Sequence, residues 1–307
     1  MDKISSPLKE LNGIIPSLHT PFKKDKSIDF ESLEKLIYHT INNNCAGMLI
    51  SAVAGEAGNL DLKEKEKMMK FTLDIANDNF PIIVGCSSSN FDDIFTLAKK
   101  AKEKGANWIL VQSPLDMRES DLIRFFKKIN QVGPSNLMIQ DLSWNSYGLS
   151  DEIIIKLFEE IPSFKSLKVE VVNSGLKYSK IKELTDNMLH LTGGWAANGL
   201  IEAIKRGVHG FIPSTMEAIY NKVYKLMKMG KEQEARNLFY KILPAISFAH
   251  QHIHTSIKFY KKLRVEEGIF FNDICRGDIP NFDEHQMSEA NYQIKKIITL
   301  QSKVLKK

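Results

Sequence analysis

The chain has 307 residues, 43% of them hydrophobic, and its 42 basic and 37 acidic side chains leave a net charge of +5. That length builds one large core or two ordinary domains, and the interspersed charges describe a solvated surface rather than a nucleic-acid-binding face, with a mild field that favours small anions. No apolar run spans a bilayer, the start Met1-Asp2-Lys3-Ile4-Ser5 lacks a charged region followed by an apolar one, and Cys45, Cys86 and Cys275 form no CxxC, so the expectation is a cytosolic protein with reduced thiols and neither a zinc site nor a membrane segment.

A polar leader over residues 1–12 precedes a first strand at 13–18, and Asp29 caps a helix running to about Asn43. Strand two covers 47–51 and is followed by Ala52-Val53-Ala54-Gly55-Glu56-Ala57-Gly58, after which Asp61 opens a charged amphipathic helix. Strand three (81–86), a helix from Asn90 to Lys104, strand four (107–112) and a helix over about 120–130 continue the alternation. Strand five (136–140), the Ser150-capped helix 151–160, strand six (164–172), a short helix after Gly175, strand seven (188–194), a helix near 199–206 and strand eight (210–213) complete it. From Met216 onward only helical periodicity remains, in three or four segments broken by Gly230, Gly268 and the loop at 276–280. The lysine-rich stretches 177–182 and 258–262 have helical spacing with apolar residues on one face, and read as ordinary amphipathic helices.

Eight strand–helix repeats predict an α/β fold, a (β/α)8 TIM barrel over residues 13–230 with a C-terminal helical extension over 231–307. The competing fold is a doubly wound open sheet. Its nucleotide-binding forms lose support because no GxGxxG follows the first strand and no GxxxxGK[ST] occurs.

In such a barrel the chemistry collects at the carboxyl ends of the strands. Those ends deliver Ser51 to Glu56, Gln140 and Asp141, Lys168 and Glu170, then Gly193, Gly194 and Trp195, and finally Ile212 to Ser214. No metal-ligand spacing and no nucleophile elbow occur among them. The strong nucleophile is Lys168, and strand alternation puts Glu170 on the same face roughly 7 Å along the strand, with Ser166 behind. A lysine desolvated inside a barrel can supply a free amine, which condenses with a ketone to an iminium and acidifies the adjacent carbon. Aldol cleavage, aldol addition or loss of a β-hydroxyl follow from that intermediate without metal or bound cofactor. The bland alternative makes Lys168 and Glu170 a buried ion pair. His19, His252 and His254 share no ligand spacing and read as surface or interface residues.

The ordered set Gly13-Ile14-Ile15-Pro16, Thr20-Pro21-Phe22, Ala54-Gly55-Glu56, Lys168 and Gly207-Val208-His209-Gly210-Phe211-Ile212 resembles the dihydrodipicolinate synthase and N-acetylneuraminate lyase family of class I aldolases. The resemblance implies a (β/α)8 barrel with a helical extension, a homotetramer or homodimer, and a Schiff base between Lys168 and pyruvate or another 2-oxo acid. Three departures stand out. The family's hydroxyl-bearing stretch after strand two is Ala52-Val53-Ala54-Gly55-Glu56 here, and its strand-five tyrosine is Gln140; the tyrosines after strand four are also absent from Ser113-Pro114-Leu115-Asp116-Met117. Gln-Asp on strand five, Lys-x-Glu on strand six and Gly-Gly after strand seven are similar to the 2-keto-3-deoxy sugar acid dehydratases, L-2-keto-3-deoxyarabonate dehydratase in particular. That likeness implies Lys168 as Schiff-base lysine, Glu170 as acid/base and Gln140 orienting a hydroxyl or water. Val53, Ala54, Gly55, Glu56, Gly193, Gly194, Trp195 and Ile212 are the expected substrate-binding positions, with the amides near Ala54 and Gly55 holding the carboxylate and Gly55 in an unusual backbone conformation. A pyruvate-dependent aldolase and a catalytically silent ligand-binding barrel remain open beside the dehydratase.

Overall fold

The computed structural model describes residues 11–76 and 80–305, so most of the expected leader lies outside the described residues. Among the described residues are eight parallel strands: β1 (Gly13–Ile14), β2 (Met48–Ile50), β3 (Ile82–Gly85), β4 (Trp108–Gln112), β5 (Asn136–Leu142), β6 (Phe164–Glu170), β7 (His190–Gly193) and β8 (Gly210–Phe211). From β2 to β8 each strand pairs with its neighbour in sequence, and β8 pairs with β1. Just beyond β1 the Leu18 N–H donates to Leu49 O at 2.8 Å and the Leu49 N–H to Pro16 O at 2.9 Å, which joins β1 to β2 and closes the (β/α)8 barrel.

Helices α1 (Phe30–Asn42), α2 (Leu62–Ala76), α3 (Phe91–Glu103), α4 (Glu119–Val132), α5 (Asp151–Glu160), α6 (Ser174–Leu184) and α7 (Leu200–Lys205) alternate with the strands. Their starts follow local chemistry. Asp29 accepts from the Ser32 N–H, Asn90 from the Asp92 N–H and Ser150 from the Ile153 N–H, and Asp61 and Glu64 exchange side-chain-to-backbone bonds ahead of α2. Five further helices follow: α8 (Glu217–Lys228), α9 (Glu232–Phe239), α10 (Leu243–Ala249), α11 (Ile253–Glu266) and α12 (Glu284–Leu305). That is one more than the periodicity predicted. The extra break, at residues 250–252, bends the chain so that the start of α11 reaches the barrel mouth.

The strand pleat sorts side chains into two apolar layers. Met48 and Ile50, Ile82 and Val84, Ile109 and Val111, and Leu137 and Ile139 face the helices, while Leu49, Ile83, Trp108, Leu110 and Met138 pack inside the ring with Leu11, Ile15 and Ile212. On β6 the helix-facing residues are Leu167 and Val169, which turns Ser166, Lys168 and Glu170 inward. Lys168 therefore points into the barrel by parity.

Several histidines are sealed in. His190 and His209 stack at 4.7 Å, and burial followed by the His209 charge holds His190 down to about 3. Burial also lowers His250 to about 4 and pushes His19 well below its ordinary value. His19, expected at the surface or an interface, is instead fully buried 6.2 Å from the Tyr260 ring, because the chain past β1 stays inside the wall between barrel and α11. These groups are neutral when folded and take up protons when unfolded, so stability is full above pH ~6.5 and falls by about 1.4 kcal/mol per pH unit per histidine below it. The urea midpoint is expected to drop between pH 7 and pH 5; an unchanged midpoint would contradict these burials.

Among the described residues no helix is long and apolar enough to cross a membrane, and no group of three or more His, Cys, Asp or Glu could hold a metal ion.

Candidate active site

Register across the barrel places Gln112, Gln140, Lys168 and Thr192 side by side on β4 to β7. Of this row, Gln140 and Lys168 open onto a cavity of about 480 Å³ at the carboxyl ends of the strands. Lys168 Nζ lies 3.0 Å from Glu170 Oε2, so the amine has a carboxylate to which it can pass a proton. Gln140 Nε2 donates to the same Glu170 oxygen, and the Trp195 N–H donates to Oε1 at 2.9 Å. Burial alone would push the Glu170 carboxyl up. Lys168, the Trp195 amide and Gln140 outweigh it and hold the group below the usual carboxylate range. Three donors thus keep a buried base ionised.

The glycines after β7 make room for this base. A Cβ on Gly194 would lie 2.1 Å from Glu170 Cγ, and one on Gly193 would meet the Tyr178 hydroxyl at 3.0 Å. From the sequence, substrate approach and tight-turn duty are equally open for these glycines; in the fold the approaching atoms are protein side chains. Trp195, with φ of 48°, presents its amide to Glu170 and stacks on Trp144 at 5.3 Å beside the cavity.

The turn after β2 borders the same cavity. Val53 and Ala54 line the cavity, and no acceptor among the described residues takes their N–H groups. Gly55 has no such free N–H. Its N–H donates to Ala52 O at 3.0 Å, and it lines no cavity next to Lys168. Nor does Gly55 adopt a positive φ; that falls to Glu56 at 56°, and a Cβ on Gly55 would sit 2.7 Å from Leu18 O. Close packing, not dihedral freedom, requires this glycine. Glu56 is a brace: it forms a buried ion pair with Lys261 and accepts from the Arg276 N–H at 2.7 Å. Ile212 forms part of the cavity's apolar floor.

The sequence does not single out Trp144, His250, Ser256 or Lys177, and His252 reads there only as a surface or interface residue. Trp144 covers the mouth from the loop after β5. His250, His252 and Ser256 close one wall, brought there by the turn into α11. Lys177, which helical spacing left among ordinary amphipathic residues, is fully buried against Asp141 and donates to Tyr147 O at 2.7 Å and Leu149 O at 2.6 Å. The Leu149 N–H returns a bond to Asp141 at 3.0 Å, so this pair pins both ends of the loop that carries Trp144. Lys261 likewise turns inward, to Glu56.

A closed eight-stranded barrel with the Lys168–Glu170 pair inside its mouth defines a class of barrel enzymes that act through an amine nucleophile. The chain matches the dihydrodipicolinate synthetase family over residues 10–297, and it belongs to that family. It is 26% identical over 236 residues to the 4-hydroxy-tetrahydrodipicolinate synthase of Thermosipho africanus, covering 74% of this chain and 80% of that protein. The synthase of Rickettsia prowazekii is 30% identical over 159 residues, 51% of this chain and 53% of that one. Among solved structures, dihydrodipicolinate synthase from Rhodopseudomonas palustris superposes with a TM-score of 0.87 at 22% identity, covering 94% of this chain and 98% of its own. Ruminococcus gnavus sialic acid aldolase does so at 0.85 and 18%, covering 96% and 99%. Membership makes the chain a lyase working through a lysine Schiff base, a chemistry that uses no metal or other cofactor.

Proposed function

We propose that the chain removes water from a 2-keto-3-deoxy sugar acid through an iminium formed on Lys168. The Lys168 amine adds to the C2 carbonyl and expels its oxygen as water. Glu170 then takes a proton from C3, which the iminium has acidified, giving an enamine. The enamine expels the C4 hydroxyl, to which Glu170 returns the proton, so a second water leaves and a C3–C4 double bond forms. For a five-carbon substrate a C5 proton then leaves and C3 is protonated, the resulting C4–C5 enol becomes an aldehyde, and water hydrolyses the iminium and frees Lys168, for a net loss of one water. The Val53 and Ala54 N–H groups hold the carboxylate, and Gln140 orients the departing hydroxyl.

The observation that carries this reading is the contact of Glu170 with both Lys168 and Gln140 at the position where an aldolase of this family places a tyrosine. One base able to serve C3 and C4 in turn suits elimination. The names of the relatives favour a second reading, aldol chemistry with pyruvate, in which Glu170 or water does the tyrosine's work. Product analysis after incubation with 2-keto-3-deoxyarabonate separates them. An α-ketoglutarate semialdehyde product supports dehydration; pyruvate release overturns it in favour of cleavage. A homotetramer or homodimer is part of the proposal, checked by sedimentation; one solved relative is described as a monomeric synthase variant.

A further inference from the structure

Beside the Lys168 cavity lies a second chamber of about 730 Å³, over β2 to β4, with Ala52, Val53, Gln140 and Ile253 common to the walls of both. We propose that this chamber is a subsite for an uncharged, polyhydroxylated chain, the far end of a 2-oxo acid longer than five carbons. The proposal rests on the Schiff-base reading above and names the substrate class that reading would serve.

Three observations carry it. First, the Oγ atoms of Ser51 and Ser113 line the chamber, are buried, and have no hydrogen-bond partner among the described residues. Buried hydroxyls left unpaired cost free energy, and a ligand that hydrogen-bonds to them recovers it. Second, the lining is mixed and not cationic: Phe91, Ile94, Ile257 and Ile279 give apolar walls, between which polar side chains are set. Gln112, Ser87, Ser88, Asn59 and His254 contribute, no lysine or arginine lines it, and the Glu56 carboxylate is already satisfied by Lys261 and the Arg276 N–H. Asp278 adds a negative charge at an exposed position. Such a lining offers a carboxylate or phosphate no cation, while its unpaired hydroxyls suit hydroxyl groups and its apolar walls the C–H faces of a carbon chain; the anionic head has Lys168 and the free amides of Val53 and Ala54 next door. Third, the direction is right. Gln112 is in register with Gln140, and Gln140 with Lys168, so Gln112 stands two strands away, roughly 10 Å across the sheet. A substrate fixed at C2 on Lys168 runs past Gln140 toward Gln112 as its chain lengthens. A five-carbon acid leaves most of the chamber unused, which is large enough on its own for a drug-sized ligand.

The test uses a ladder of 2-keto-3-deoxy aldonates of five to eight carbons, with kcat/KM measured for dehydration or cleavage on the full chain. The subsite predicts kcat/KM rising with length by roughly tenfold for each hydroxyl that finds a buried partner. It also predicts that Gln112→Leu and Ser113→Ala flatten the ladder, read as the ratio of longest to shortest substrate. A ladder already flat in the wild type, or a ratio unaltered by both variants, overturns the subsite. A preference for a terminal phosphate over a terminal hydroxyl overturns its uncharged character. Trapping of pyruvate on Lys168 with borohydride, run alongside, separates the two claims. If the adduct forms and the ladder is flat, only the subsite fails; if no adduct forms, the Schiff-base assignment fails.

Discussion

Glu170→Gln is expected to lower kcat by about 10²–10⁴-fold while the protein still folds and still gives a trapped pyruvate adduct on prolonged incubation. Glutamine is isosteric: its one oxygen can still accept from the Trp195 N–H, and its NH2 can face the Gln140 amide, which turns to accept, so the main loss is that of a proton acceptor rather than of the cavity's shape. Because Lys168 and the surrounding donors hold the carboxyl below its ordinary value, the wild-type base is ionised through neutral and mildly acidic pH, and the acid limb of kcat/KM falls below pH ~4.3. That limb is expected to vanish in the variant. Gly194→Ala reaches the same residue from outside: its methyl would overlap Glu170 Cγ, so Glu170 must move and kcat falls with it. Full turnover in Glu170→Gln would remove Glu170 from the mechanism.

Lys177→Met is expected to cost about 3–5 kcal/mol of stability, among the largest effects of any single change outside the cavity. Both side chains of the Lys177–Asp141 pair are fully shielded, and burial pushes the Asp141 carboxyl up and the Lys177 ammonium down. What offsets that cost is the attraction between them and the two carbonyls that Lys177 also meets. Removing the lysine leaves a buried carboxylate and two acceptors unpaired. It also frees the loop bearing Trp144, so tryptophan emission should change along with the denaturation midpoint. The double variant Asp141→Asn, Lys177→Met should regain part of the stability, because no charge is then stranded. Thermal or urea unfolding of the three proteins checks this, and equal destabilisation of single and double variants would contradict it.

The barrel was legible because its signal is local. Residues such as Leu49, Ile83 and Met138 alternate with helix-facing neighbours, and that period of two survives in every central strand. The same parity put Lys168 and Glu170 on one inner face, and the register with Gln140 follows from strand order. What remained hidden depends on partners far apart in the chain. Helical period locates the face on which Lys177 and Lys261 sit, but their carboxylates belong to β5 and to the turn after β2. Gly194 reads as a turn residue until Glu170 is seen against it. His250 and His252 enter the cavity wall only because the helical extension folds back over the mouth, which no spacing within it announces.

The most direct test of the account is reductive trapping. The chain is incubated with pyruvate and borohydride, digested, and its peptides weighed. The prediction is a reduced pyruvyl adduct on Lys168, absent from Lys168→Ala; an unmodified Lys168 peptide, or an adduct on another lysine such as Lys261, would contradict it.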